Sequence, residues 1–383
     1  MLGKSLAQAG YRVTLITDRC RRDLVGIWEG CHVRAWPNPT PGTLRGLAFF
    51  RRLVKDVRPS AVISSFQSNN IAAPVSWLLK VPCRIAWHRS LSTQTPLDFP
   101  RHVLKEKLQE KFKRAVYSFA THVVPVSAAG KRDAIDVYGV PPDRCKIVFH
   151  TCRPDPRRLI VGTVPRRKPN VKHIVNLGRL YPSKGVDTLL HALRTLQDRN
   201  PTWSIKLTQI GSGPSLNQLQ QLAKDLNLGP QVEFVGHLPQ VEAFSRLAVA
   251  DVLALPIRSD PGPGAIPEGL GLGIPVIACA VGGIAELFQC TEAVRLVPVD
   301  DPHAFADALE EILRDPELAQ RMSKAARKLF EEKFHLDHWV RDVHSWLECS
   351  VFASVSDRGL WTYDRCHSLQ PFDKSRIHSA FDR

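Results

Sequence analysis

The sequence predicts an α/β protein of two domains, each organised around a parallel sheet. Short apolar runs alternate with longer amphipathic stretches along most of the chain, which is the pattern of repeated strand–helix units. A segment rich in proline and arginine, at 151–170, divides these units into two series. A length of 383 residues is sufficient for two such domains. We therefore predict domains at 1–150 and 171–333, joined by a linker.

In the first series, each predicted strand is a short run rich in Val, Ile and other apolar residues. The predicted strands are 11–17, 61–65, 81–87, 122–127 and 146–149. Helices are predicted over 1–10, 46–55, 101–120 and 128–138. Because helices separate most of the strands, the sheet is expected to be parallel.

The sharpest amphipathic pattern lies at 101–120, where Leu104, Leu108 and Phe112 recur at helical spacing. The rest of its surface has a strong positive bias, from Lys105, Lys107, Lys111, Lys113 and Arg114. Two interpretations remain open. The apolar side chains pack into the core and leave a solvated basic face, or the helix docks on anionic lipid, where each basic residue adds roughly 1 kcal/mol.

The second series repeats the alternation. Its predicted strands begin at 173, 204, 232, 251, 275 and 295, and helices are predicted from about 187, over 215–226, 240–248, 301–314 and 317–333, and after 281. A last helix is predicted within 334–349. The remainder, 350–383, has no sustained period, and we expect a disordered or foreign tail and assign it no function.

The composition restricts the classes of partner. The formal net charge of +15 favours acidic partners such as phosphorylated small molecules and anionic membranes. No nucleic-acid-binding module is recognisable, so we expect no nucleic acid. The nine cysteines form no CxxC pair, which suits a reducing compartment and indicates no zinc site. No apolar run reaches the length of a membrane span.

Asp260 and Glu268 are separated by seven residues in the segment 258–286. Asp260 should lie in the loop after a strand and Glu268 at the start of the next helix, so that both face the carboxyl edge of the sheet, where open α/β sheets bind ligands. Two carboxylates there can accept hydrogen bonds from two sets of hydroxyls. The alternative is a solvated loop acid and a helix N-terminal Glu that the helix dipole stabilises.

Gly178, Arg179 and Lys184 follow the first strand of the second series. Two cations five residues apart on a strand-to-helix loop can bind a diphosphate, Arg through two bonds and Lys as a point charge. The alternative is a pair of surface cations. Further along, Gly282 and Gly283 form a tight turn that would let a ligand approach the backbone.

These segments resemble the retaining glycosyltransferases of family 4, which have the GT-B fold of two Rossmann-like domains facing a cleft. The family usually has Glu, seven residues and Glu, followed by Ala-Met-Ala-x-Gly-x-Pro-Val. Here the acids are Asp260 and Glu268, followed by Gly269-Leu-Gly-Leu-Gly-Ile-Pro-Val276, so Asp replaces the first Glu and Gly the first Ala. The segment from Gly178 to Gly185 is similar to the family's Gly-Arg-Leu-x-x-x-Lys-Gly. The resemblance covers roughly residues 3–348.

The resemblance implies a role for each candidate residue. Arg179 and Lys184 would bind the diphosphate, Asp260 the sugar hydroxyls and Glu268 the ribose. His88, at the end of a predicted strand, would lie near the transferred sugar, or else be a structural histidine. The remaining donor-side positions would be the turn at Gly211 and the base-binding backbone of Gly236, His237 and Leu238, together with Gly178, Gly282 and Gly283.

The resemblance also implies an activity, namely transfer of a sugar from a nucleoside-diphosphate sugar to a hydroxyl acceptor, with no cofactor and no metal. We expect a cytoplasmic enzyme of polysaccharide or glycolipid synthesis, peripheral on the inner membrane face if its acceptor is lipid-linked. The family's first strand and Gly-rich loop do not precede residue 3, so we expect a truncated sequence. A catalytically inactive GT-B protein that binds nucleotide sugars, a phosphorylase and a sugar-nucleotide epimerase are the alternatives.

Overall fold

The computed structural model describes residues 2–17, 25–37, 43–100, 103–149, 151 and 171–347. The α/β class is confirmed, with twelve strands and fourteen α-helices in these segments. Nearly all of the predicted linker and the whole predicted tail lie outside the described residues. No helix in the described segments combines the length and apolar character needed to cross a bilayer.

The N-terminal domain contains two three-stranded sheets. The first has the order β1-β3-β2, and the second is a parallel sheet with the order β4-β5-β6. The strands are β1 (Thr14–Thr17), β2 (Gly26–Trp28), β3 (Cys31–Ala35), β4 (Ala61–Ser65), β5 (Cys83–His88) and β6 (His122–Pro125). The helices are α1 (Leu2–Gln8), α2 (Leu44–Val57), α3 (Asn69–Leu78), α4 (Gln94–Asp98), α5 (Val103–Ser118) and α6 (Ala128–Asp136).

Two features of this domain differ from what the sequence predicts. β2 is antiparallel to β3, joined by a two-residue turn with positive φ at Glu29 and Gly30, and the sequence analysis did not predict this hairpin. The strand predicted at 146–149 does not form. Those residues run beside β6 and donate two backbone hydrogen bonds to it, from Lys146 and Val148, at 3.3 and 3.0 Å.

The C-terminal domain is built on one six-stranded parallel sheet with the order β12-β11-β10-β7-β8-β9. The strands are β7 (Val171–Leu177), β8 (Ser204–Ile210), β9 (Val232–Gly236), β10 (Val252–Leu255), β11 (Val276–Cys279) and β12 (Val294–Val297). The helices are α7 (Val186–Arg199), α8 (Leu216–Asp225), α9 (Gln240–Leu247), α10 (Ala265–Leu272), α11 (Gly282–Phe288), α12 (Pro302–Arg314) and α13 (Pro316–Leu329).

The order of this sheet determines where a ligand can bind. The chain runs outward from β7 through β8 and β9, then returns to pair β10 with the other side of β7. Helices pack on both faces, and β10 and β11 are buried along their whole length. The strand order therefore reverses between β7 and β10, and the loops beyond their carboxyl ends form the crevice that binds ligands in doubly wound folds.

The last helix, α14 (Leu336–Leu347), packs against the N-terminal domain. Val343 and Leu347 join a buried cluster with residues of β5 and β6. The Trp339 indole stacks on Trp87 at 6.3 Å between ring centroids and donates a hydrogen bond of 2.9 Å to the Phe149 carbonyl. The two domains are thus connected by this returning helix as well as by the chain at 151–170.

The apolar side chains along most of helix α5 do not pack into the core, although one of the two interpretations of the sequence expected this. Leu104, Leu108 and Phe112 are 80, 67 and 53% exposed. Among the side chains of this helix whose burial is described, those of Val116 and Tyr117 near its end are the buried ones. The core-packed interpretation is therefore wrong for the first three apolar positions, which form a stripe that is exposed within the described part of the chain.

Candidate functional site

Two loops meet at the switch point between β7 and β10, and they carry the predicted cations and the first predicted acid. Lys184 ends a single 3-10 turn, and the next residue, Gly185, has φ 64. A Cβ at Gly185 would lie 1.9 Å from the Pro256 carbonyl oxygen, so no other residue fits. The loop after β7 is thereby pressed directly against the loop after β10.

Lys184 and Asp260 form an ion pair between these loops. Their side chains are only 13 and 11% exposed. The second oxygen of Asp260 accepts a hydrogen bond of 2.8 Å from the Gly262 amide, which fixes the carboxylate. An ammonium group has three N–H donors and this pair uses one of them, so Lys184 can still bind anionic oxygens.

Arg258 organises the same two loops and was given no role by the sequence analysis. Its guanidinium binds the Asp187 carboxylate at 2.8 and 2.7 Å, through two parallel bonds, and Asp300 at 2.5 Å. Its backbone N–H donates to the Ser183 carbonyl at 2.9 Å. Arg258 therefore ties the turn that holds Lys184 to the loop that holds Asp260. Its place two residues before Asp260 was the only sequence signal for it.

Arg179 is exposed, and its guanidinium carbon lies 4.9 Å from the ring centroid of Tyr181. A guanidinium stacked on an aromatic face keeps its N–H groups free to point outward. Arg179 and Lys184 are thus on one loop at the switch point, one exposed and one paired.

Glu268 lies in the first turn of α10 and is partly buried. No side chain among the described residues pairs with its carboxylate. Burial raises the pKa of Glu268 to about 7, because the charged form is disfavoured away from water. Its carboxyl group can therefore take up or release a proton near neutral pH.

The glycines predicted after β7, β8 and β9 come together at the carboxyl edge. The Gly211 amide donates to the Gly236 carbonyl at 2.8 Å, and a Cβ at Gly211 would lie 2.0 Å from the Gly178 carbonyl. A Cβ at Gly178 would meet no atom of the described residues within 4 Å, so the space beside it is open in this part of the structure. His237 is exposed and Leu238 partly buried just beyond this turn.

Gly282 and Gly283 make room for the protein's own backbone. A Cβ at Gly282 would lie 2.3 Å from the Asp260 carbonyl. A Cβ at Gly283 would lie 2.0 Å from the Pro261 carbonyl and 2.7 Å from Cβ of Ser127 in the other domain. The two glycines let the Asp260 loop and the N-terminal domain pack closely against the start of α11. Contact of Gly282 and Gly283 with a ligand remains a prediction.

His88 is fully buried at the end of β5, and both of its ring nitrogens have partners inside the chain. Nε2 lies 3.0 Å from Asp133 and Nδ1 lies 2.8 Å from the Tyr117 hydroxyl. Because a carboxylate only accepts, Nε2 carries the proton and Nδ1 accepts from Tyr117. Burial lowers the pKa of His88, which favours this neutral form. Contact with a sugar stays a prediction, whereas its structural bonds are evident.

A further cation from the N-terminal domain lies near the site. Arg89 follows His88, and its guanidinium lies 5.1 Å from the Phe66 ring centroid. Burial lowers the pKa of Arg89, while the charge of Asp260 opposes that shift, which places the two groups within electrostatic reach. No role was predicted for Arg89 from the sequence, although it directly follows the predicted residue His88.

The arrangement can bind an anion beside a polyhydroxyl group. Lys184 and Arg179 offer positive charge, and Asp260 and Glu268 offer carboxylates that accept from hydroxyls. Within the described part of the chain, no three His, Cys, Asp or Glu side chains gather as metal ligands.

Comparison with known proteins identifies related families for both domains. Residues 164–329 match a family model described as glycosyl transferases group 1. Residues 1–149 match one described as a glycosyl transferase 4-like domain. Together the two models span most of the chain.

Among curated proteins, the chain is similar to a GDP-mannose-dependent α-(1-6)-phosphatidylinositol monomannoside mannosyltransferase of Mycolicibacterium smegmatis. The two are 34% identical over 181 residues, which are 45% of this chain and 44% of that protein. The match thus spans less than half of the relative's length.

Solved structures show the same fold. Sucrose-phosphate synthase from Thermosynechococcus elongatus superimposes with a TM-score of 0.74 at 20% identity, over 92% of each chain. Anabaena HepE (Alr3699), solved in complex with UDP-glucose, gives a TM-score of 0.71 at 17% identity, over 91% of this chain and 96% of that one.

Proposed function

Since the chain belongs to the family 4 glycosyltransferases and has the GT-B fold, we propose that it transfers a sugar from a nucleoside-diphosphate sugar to a hydroxyl acceptor with retention of configuration. One observation carries the proposal. Two cations and a carboxylate, Arg179, Lys184 and Asp260, occupy the loops at the switch point of the C-terminal sheet. Nucleotides bind at this position in doubly wound folds.

In the proposed reaction, Arg179 and Lys184 hold the diphosphate. As the bond between the sugar and the diphosphate breaks, the leaving group gains negative charge. Lys184 is already held in place by Asp260 and by the turn packed on Pro256, so it stabilises this charge without reorganising. No metal is required in this proposal, because the protein's own cations supply the positive charge.

The two carboxylates have different tasks in the proposal. Asp260 accepts hydrogen bonds from the sugar hydroxyls while it keeps Lys184 oriented. Glu268 accepts from the ribose diol and has no competing partner among the described side chains. The turn at Gly178, Gly211 and Gly236 borders the place of the nucleotide.

We extend the proposal to a lipid-linked acceptor at the inner membrane face, in glycolipid or polysaccharide synthesis. Helix α5 supports this, since its exposed stripe of Leu104, Leu108 and Phe112 is flanked by exposed Lys105 and Lys107. Interfacial helices typically combine two features. Their apolar side chains enter the boundary of the acyl chains, and neighbouring cations contact the anionic head groups. The mannosyltransferase similar to this chain is named for a phosphatidylinositol mannoside.

Thermal-shift screening against UDP-, GDP- and ADP-sugars tests the donor proposal. A ligand at 100 times its dissociation constant stabilises a protein by about 2.7 kcal/mol, so the matching nucleotide series should raise Tm. Gly178→Ala should weaken this shift without lowering the Tm of the protein alone, because the new methyl meets only open space. Gly229→Ala is the matched control, since it also meets nothing and precedes β9 at the opposite edge of the sheet.

The result also separates the proposal from its main alternative. A shift together with release of nucleoside diphosphate in the presence of an acceptor supports the transferase. A shift without any turnover favours an inactive nucleotide-sugar-binding protein. A cooperative melt that no nucleotide moves contradicts both.

A further inference from the structure

Residues 92–99, here called the clasp segment, follow β5 in the N-terminal domain and include α4. This segment contacts the C-terminal domain in three places. The Thr93 hydroxyl lies 2.8 Å from the Ser259 hydroxyl. Asp98 accepts a hydrogen bond of 3.0 Å from the Ser183 amide, and the Phe99 ring meets the Tyr181 ring edge-on at 5.6 Å.

All three contacts fall beside a candidate donor-binding residue. Tyr181 supports the Arg179 guanidinium. Ser183 immediately precedes Lys184, and Ser259 immediately precedes Asp260. The clasp segment therefore contacts a sequence neighbour or a packing partner of Arg179, Lys184 and Asp260.

The clasp segment is itself anchored in its own domain. Asp133, on α6, accepts from the backbone N–H of Ser92 at 3.1 Å and from the Ser92 hydroxyl. The other oxygen of Asp133 binds His88. The start of the segment is thus fixed by a partly buried carboxylate, while its far end reaches across to the other domain.

We propose that the clasp segment is a positioning element for sugar transfer, and that Thr93 and Asp98 are positioning residues. When the domains are closed, they hold the loops of Arg179, Lys184 and Asp260 in the arrangement that stabilises the leaving diphosphate. Catalytic loops must be held within a fraction of an ångström, so loss of these bonds lowers turnover more than it lowers donor affinity. This inference rests on the proposed transferase function.

Asp98→Ala removes the acceptor for the Ser183 amide, and Asp98→Asn keeps an oxygen that can accept it. A hydrogen bond to a charged group corresponds to about a tenfold effect or more, so kcat of Asp98→Ala should fall about tenfold. The dissociation constant of the donor should change less than about twofold, and Asp98→Asn should retain most of the activity. Asp56→Ala is the matched control, an exposed acid on α2 of the same domain. Equal losses in Asp98→Ala and Asp98→Asn would overturn the proposal.

A second readout does not depend on activity. Hydrogen exchange of the Ser183 amide should be several-fold faster in Asp98→Ala than in the wild-type chain, and unchanged in Asp56→Ala. If the wild-type chain transfers no sugar but this exchange difference is present, the proposed function fails and the clasp contact stands. Unchanged exchange and unchanged turnover overturn the clasp.

Thr93 provides an independent variant if Asp98→Ala does not fold. Thr93→Val removes the hydroxyl that meets Ser259, whereas Thr93→Ser keeps it. A severalfold lower kcat in Thr93→Val with recovery in Thr93→Ser is expected. Equal kcat values in the two variants overturn the positioning role.

Discussion

Lys184 and Asp260 form a pair of opposite charges in a place where neither is fully hydrated. Removing one partner of such a pair leaves the other charge without compensation, which costs stability as well as function. The same pair places an ammonium group at the switch point before any ligand binds. A charge that is fixed in advance contributes more to catalysis than one that has to move into position.

Replacing Lys184 tests this role directly. In Lys184→Ala, the leaving diphosphate of the proposed reaction would lose a preorganised cation, and kcat should fall on the order of 10²–10³. Turnover is measured well below the melting temperature, because the unpaired Asp260 also lowers stability. Lys224→Ala, an exposed lysine on α8, is the control and should keep its activity. Near-normal turnover in Lys184→Ala would contradict the assignment.

The carboxyl group of Glu268 makes stability depend on pH. Burial raises its pKa from 4.5 to about 7, so the folded chain holds this proton more tightly than the unfolded chain does. The stabilising contribution is therefore complete below about pH 4.5 and is lost as the pH rises through 7. A pKa shift of this size corresponds to a contribution of about 3 kcal/mol to the free energy of unfolding.

Glu268→Gln should remove this dependence, since an amide does not ionise. We expect the Gln variant to melt above the wild-type chain at pH 8 and the difference to shrink toward pH 5. Thermal denaturation at several pH values between 5 and 8 measures this difference in Tm. Glu292→Gln, at an exposed position before β12, should give a curve parallel to the wild type. A parallel curve for Glu268→Gln as well would show that burial of its charge has no energetic effect.

At the scale of secondary structure, the C-terminal sheet was predictable and part of the N-terminal domain was not. Strands such as β10 and β11 are buried on both faces and appear in the sequence as unbroken apolar runs. β2 is exposed at all three positions and carries no such signal. The hairpin depends instead on the left-handed backbone conformation of Glu29 and Gly30. Glu is not a residue type that predicts this conformation.

The residues of the candidate site also divide into those that could be located from the sequence and those that could not. Arg179, Lys184, Asp260 and Glu268 could be located from spacing and from a family resemblance, because each follows a recognisable strand or starts a helix. Arg258 and the clasp segment could not, because their partners are far away in sequence and are brought near only by the return of β10 to β7 and by domain closure.

Helix α5 shows what periodicity leaves open. An apolar stripe at helical spacing predicts a helix with one apolar face, but not whether that face meets the core or another surface. In this chain the stripe of Leu104, Leu108 and Phe112 is exposed, beside exposed lysines.

Substitution of one residue in this stripe tests the lipid proposal. Leu108→Asp should reduce cosedimentation with phosphatidylglycerol vesicles about tenfold, since an apolar side chain is lost and a like charge is added facing the lipid. Folding stability should change little, because the side chain is 67% exposed. Leu44→Asp, at an 85% exposed leucine on α2, is the control and should bind like the wild type. If the wild-type chain binds neutral vesicles as strongly as anionic ones, electrostatic attraction to the lipid is not part of the binding.

At the scale of the whole molecule, closure of the two domains depends on close packing between backbones. Ser127 of the N-terminal domain, Pro261 and Gly283 approach so closely that a single methyl group at Gly283 cannot be accommodated. Near this contact, Arg132 and Glu286 form an exposed ion pair across the boundary. Exposed pairs contribute little, so at this contact the steric fit at Gly283 limits how closely the domains can approach.

Gly283→Ala should therefore hold the domains apart. Cβ would lie 2.0 Å from the Pro261 carbonyl and 2.7 Å from Cβ of Ser127, and neither atom is the free end of a flexible side chain. We expect a larger radius of gyration in small-angle X-ray scattering, and turnover lower on the order of 10², since a displacement of about 1 Å at the site has that effect. Gly264→Ala lies nearby, and its methyl group would meet no atom of the described segments within 4 Å, so it should match the wild type in both measurements. If Gly283→Ala keeps the wild-type dimensions but loses turnover, the glycine acts on the donor and not on closure. If it keeps both, the contact with Ser127 does not limit the approach of the domains.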